Sequence, residues 1–176
     1  MNEIFIAFWW IYFCIFFSNY VIVYAISHLL AKNKNWNTFI KTKIYPLLPL
    51  AYAFVTTCFW TILLYQYSFN YIWKTIMAEI PAKLIIVWSL LGLLFWLPLF
   101  RKKNYFCLLH SIPFFILPII IIANNIFKFG LLEWDDVLNL LRIYIAGLLI
   151  YVGAIIILLV AKFLILRLAS PKRHAV

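Results

Sequence analysis

Charged residues are scarce in this sequence: Asp, Glu, Lys and Arg make up 11% of its 176 residues, less than half the ~25% typical of a water-soluble domain. Too few polar side chains remain to cover a globule in water, so the surface has to face lipid. Glycine is sparse at four residues, and no Ser-, Pro- or Gly-rich linker divides the chain. Residues 1–176 therefore read as a single integral membrane domain. The three cysteines, Cys14, Cys58 and Cys107, fall inside apolar runs and form no Cys-x-x-Cys pair, which argues against a disulfide framework. There is no phosphate-binding glycine loop, no Gly-x-Ser-x-Gly elbow, no His-Glu-x-x-His pair and no dinucleotide fingerprint. No apolar run carries a central acid of the kind proton-driven pumps use. Cys107 and His110 lie three residues apart, but no third group orients them for nucleophilic catalysis.

What fills the chain instead is apolar residue, 68% of the total, with aromatics at 20%. These residues come in continuous runs about twice the length of a barrel strand. A backbone in hydrocarbon satisfies its hydrogen bonds internally as helix, and ~20 apolar residues cross ~30 Å. The expected fold is all-α: a multi-pass helical membrane protein with five transmembrane helices at about 4–31, 45–67, 82–100, 105–127 and 140–166. The amino-terminal Met-Asn-Glu lacks the basic start of a signal peptide, so the first span is expected to persist in the mature protein.

Charge placement sets the orientation. Lys32, Lys34, Lys41, Lys43, Arg101, Lys102, Lys103, Lys162, Arg167, Lys172 and Arg173 share one side, eleven of the fifteen basic residues. All five acids (Glu3, Glu79, Glu133, Asp135 and Asp136) fall on the other side with Lys74, Lys83, Lys128 and Arg142. The positive-inside rule then places the N-terminus outside and the C-terminus in the cytoplasm. The formal net charge of +10 resides in these short clusters, which suits anionic lipid headgroups and not nucleic acid.

The two outer connections carry helical spacing. Ile72, Trp73, Ile76, Met77 and Ile80 suggest an interfacial helix over 71–80, and Leu131, Trp134, Leu138 and Leu141 another over 131–139. Trp9, Trp10 and Trp73 suit interfacial anchoring. Pro113 and Pro118 inside the fourth span predict a kink or break. Helix packing in lipid favours small residues. Three stripes qualify: Ala7, Cys14, Ser18 and Ala25; Ala53, Thr57 and Thr61; and Gly147, Ala154 and Ala161, with Ala146 and Gly153 beside the last.

Candidate chemistry is thin. His28 and His110, at similar expected depth on different spans, are a possible axial pair for a b-type haem. Arg142 sits near the outer end of the last span, with Asp135 and Asn139 on the same polar stripe, and is a candidate for contact with a partner or a lipid headgroup. Asn124 and Asn125, near the outer end of the fourth span, suit helix-to-helix hydrogen bonding. No metal site is expected. The leading expectation is a non-catalytic integral subunit of a larger membrane complex, its partners being the bilayer and other integral membrane subunits. The alternatives are a small transporter or channel-forming oligomer and a haem-binding electron-transfer subunit. The abundance of Ile, Phe, Lys and Asn suits an AT-rich genome, hence a bacterial inner membrane or, alternatively, an organelle inner membrane.

Overall fold

The computed structural model describes residues 3–66, 80–129 and 134–169. Among these, every element is helical and none is a strand. The elements are α1 (Glu3–Lys32), α2 (Lys34–Phe39), a π-helical turn (Ile40–Ile44), a 3-10 turn (Tyr45–Leu47), α3 (Leu48–Gln66), α4 (Ile80–Leu90), a 3-10 segment (Leu91–Trp96), α5 (Pro98–Arg101), α6 (Asn104–Phe129) and α7 (Trp134–Ala169). Three stretches, Phe13–Lys32, Lys34–Ile62 and Val137–Leu168, are long and apolar enough to cross a membrane. Leu84–Trp96 and Asn104–Ile120 are shorter apolar helices. These lengths and compositions suit a membrane protein.

Buried positions recur at helical spacing and define the faces that meet. On α1 they include Phe13, Phe17, Tyr20, Ser27 and Ala31; on α3, Leu48, Ala51, Tyr52, Val55 and Thr56. On α6 they are Cys107, His110, Ser111 and Phe114, and on α7 Gly147, Tyr151, Ala154 and Ile155. Each set follows the i, i+3, i+4, i+7 pattern of one helix face. α1 packs chiefly along α6 and α7, while α3 packs against the 3-10 segment and α7. The shared core is largely aromatic. Phe17 stacks on Phe114 with centroids 4.8 Å apart, and Phe59 reaches Phe13, Phe16 and Phe17.

Several details depart from the sequence expectation. The polar connection after the first span is helical. Asn33 caps α2 by accepting a hydrogen bond from the Asn35 backbone N–H at 3.0 Å. The chain then passes through the π-helical and 3-10 turns around Pro46, which has no N–H to give to the ladder. The third apolar run is not one α-helix. It tightens to 3-10 at Leu91 and breaks at Leu97, which adopts an extended ψ of 134° before Pro98, as the residue before a proline tends to do. Helix α6 continues through Pro113 and Pro118. The last span and the described part of the second interfacial segment form a single rod, α7. The other interfacial segment, 71–80, lies outside the described residues up to position 79, and Ile80 begins α4.

The small-residue stripes divide in two. Cys14, Ser18, Ala53, Gly147 and Ala154 are buried, whereas Ala25, Thr61, Ala146 and Ala161 are exposed. A Cβ at Gly147 would collide with the Asn19 side-chain amide, while one at Gly153 would meet nothing within 4 Å. Part of α7's small-residue pattern therefore serves packing within the chain, and part is left outward.

Candidate functional site

Polar side chains meet where α1, α3, α4, α6 and α7 come together. The centre is His110 on α6, 5% exposed. Its Nε2 lies 2.6 Å from the Trp88 carbonyl oxygen. A carbonyl only accepts, so Nε2 carries the proton. Nδ1 of the neutral ring is then an acceptor, and the Tyr52 hydroxyl donates to it at 2.5 Å. In return, Trp88 Nε1–H donates to the His110 carbonyl at 2.9 Å. The indole and imidazole planes stack at 8°, with centroids 5.5 Å apart.

Trp88 is in the last turn of α4, where backbone carbonyls lose their i+4 donors as the α-helix ends. The imidazole N–H supplies one of them with a partner. Gly92, just beyond, lets the 3-10 segment approach closely: a Cβ there would stand 3.0 Å from Thr56 and 3.4 Å from the His110 ring. The helix break, the glycine and the histidine thus belong to a single arrangement. Trp96 adds a further tie to α3, donating from Nε1 to Thr57 Oγ1 at 2.8 Å.

Tyr52 also carries the aromatic part of the cluster. Its ring lies edge-on to Tyr20 at 4.9 Å and stacks with Tyr151 at 6.3 Å. The Tyr20 hydroxyl donates to the Asn104 carbonyl at the start of α6 at 3.5 Å. One turn back on α7, Gly147 receives the side chain of Asn19, whose Nδ2 donates to the Ile15 carbonyl at 3.0 Å. Among the described residues, Asn19 Oδ1, Thr56 Oγ1, Trp60 Nε1 and Tyr151 Oη are buried without a hydrogen-bond partner. Each stands out from its surroundings, because most buried polar groups are paired.

The residues singled out from the sequence are dispersed. His28 is exposed near the end of α1, with Nδ1 3.4 Å from the Tyr45 hydroxyl. His110 has both ring nitrogens engaged, so ligating a haem iron would require giving up Tyr52 or Trp88. Arg142 and Asn139 are exposed on α7 and do meet, Arg142 Nη1 donating to Asn139 Oδ1 at 3.3 Å. Asp135 lies in the first turn of α7, and Asn124 and Asn125 in the closing turns of α6; their side chains lie outside the described set. Among the described residues, no group of three or more His, Cys, Asp or Glu side chains comes together as a metal site.

Sequence reasoning missed Asn19, Tyr20, Tyr52, Thr56, Trp88 and Tyr151. A signal existed for Asn19, since an amide inside an apolar run needs a partner. For Tyr52 and Tyr151 no pattern distinguishes an inward tyrosine from an interfacial one. Compared with known protein families, curated proteins and solved structures, the chain matches none.

Proposed function

We propose that the chain is a non-catalytic integral subunit of a larger membrane assembly, in the inner membrane of a bacterium. It crosses five times, with the N-terminus outside and the C-terminus in the cytoplasm. Support for five crossings is that α6, with 26 residues, rises ~39 Å, and that α4, the 3-10 segment and α5 together continue the third apolar run. The orientation rests on the distribution of Lys, Arg and the acids.

The observation that carries the subunit reading is the outward part of α7. Gly153 opens onto empty space beside the exposed Ala146, and small residues at such positions allow another helix to approach closely. Meanwhile Tyr52, Trp88, His110 and Trp96 spend their side-chain hydrogen bonds in joining helices to one another. Affinity purification from native membranes in mild detergent should recover other integral proteins at fixed stoichiometry. Ala146→Leu combined with Gly153→Leu should reduce that recovery while the chain itself stays folded. A monodisperse single chain recovered from native membranes, with no companion, defeats the reading.

A second reading, a small transporter or channel-forming oligomer, draws on the broken third span beside unpartnered Thr56 Oγ1. Interrupted helices do line transport sites. Solute flux in proteoliposomes, reduced by Thr56→Val, supports it; purified protein that passes no solute removes it.

A further inference from the structure

The segment between the first two long helices has more structure than a topology signal requires. Lys32, Lys34, Lys41 and Lys43 are all exposed, and residues 28–48 contain no acid. Positive charge alone orients a loop, whether or not that loop is ordered. Here the backbone is held as helix from the Asn33 cap through the π-helical turn. Thr42 Oγ1 donates to the Thr38 carbonyl at 2.7 Å, and Tyr45 meets His28 of α1. Ile40 is buried and fastens the segment to the bundle, while Trp36 and Phe39 are 52% and 44% exposed. Their rings contact each other edge-on at 6.1 Å.

An ordered, short helical stretch bearing two outward aromatic rings among four exposed lysines has the composition of an interfacial element. The rings enter the boundary between headgroups and acyl chains, and the ammonium groups remain at phosphate level. We propose that residues 34–44 form a binding site for anionic phospholipid headgroups, with Lys34, Lys41 and Lys43 contacting phosphate and Trp36 and Phe39 seating the segment in the bilayer surface. Charge complementarity selects this occupant: an acid-free lysine cluster at a membrane surface attracts anionic lipid. The inference rests on the chain lying in a bilayer. It does not depend on the chain having partner subunits.

The test uses full-length protein in nanodiscs of phosphatidylcholine with and without phosphatidylglycerol. Backbone hydrogen exchange reports on residues 34–44, and native mass spectrometry reports on retained lipid. Phosphatidylglycerol should protect the segment and be retained in preference to phosphatidylcholine. Lys34→Gln, Lys41→Gln and Lys43→Gln together should lower that preference by about tenfold or more, with the helical content of the variant unchanged. Lys102→Gln with Lys103→Gln should leave protection of residues 34–44 in place. Equal retention of both lipids overturns the proposal, as does full selectivity in the triple variant. So does equal protection in pure phosphatidylcholine once inorganic phosphate is added, because the ligand is then free anion. Companion proteins that still purify with the triple variant separate failure here from failure of the subunit reading.

Discussion

Gly147 and Gly153 stand six residues apart on α7 and are indistinguishable in sequence terms, each set in an apolar run beside an alanine. Structurally they differ in kind. Gly147 exists to admit Asn19, whose amide fills the space a side chain would take, whereas Gly153 has no neighbour to admit. The comparison teaches that a small residue in a membrane helix gains its meaning from what stands opposite. Opposite Gly147 the group is an amide whose hydrogen bond runs back to Ile15 on its own helix, so what the glycine provides is room for a polar side chain between two helices.

The comparison breaks most visibly at Gly147. Gly147→Leu should cost ~3 kcal/mol or more through overpacking, seen as loss of monodisperse protein in detergent. Gly147→Ala should destabilise less, and adding Asn19→Ala should restore most of the loss, because it removes both the clash and a buried, unpartnered carbonyl. If the double variant is no better than the single, Asn19 is not the cause.

A smaller effect is expected at the histidine. Tyr52→Phe deletes the donor to His110 Nδ1 and leaves that nitrogen buried and unpaired, at about 1–2 kcal/mol. The thermal midpoint should fall, and the ¹⁵N shift of His110 Nδ1 should move while Nε2 keeps its proton. An unchanged nitrogen spectrum would show that the tyrosine is not the donor.

The smallest effect belongs to Gly153. Gly153→Ala should leave the isolated chain unchanged or stabilise it by up to ~1 kcal/mol, since alanine is the better helix former and nothing is displaced. A clear drop in thermal midpoint would mean that this position is packed after all.

What the sequence made legible, and what it did not, follows from how each feature is encoded. The boundaries of α1 and the far end of α7 could be read closely, because hydrocarbon imposes long apolar runs with charges at their ends. α2 could not: its Asn- and Lys-rich residues look like loop, and its order comes from the Asn33 cap and from Ile40, which is buried against the rest of the bundle. The 3-10 segment was equally hidden, since Leu91–Trp96 is apolar except for Gly92 and only contact with Thr56 and His110 explains the close approach. His110 stood out as a residue but not in its role, because Tyr52 and Trp88 are distant in sequence and look like ordinary aromatic spans. The face that a tyrosine presents is set by tertiary packing, to which a single sequence gives no access.

The unbroken start of α7 has one more consequence. Its 36 residues rise ~54 Å, well beyond the ~30 Å of a hydrocarbon layer. Residues 134–142, which carry its acids, Asn139 and Arg142, account for ~13 Å of that length. Asn139 and Arg142 are therefore mounted on a stiff post continuous with the membrane-embedded rod. The angle of that post is set by the packing of Gly147 and Tyr151 further along the same helix.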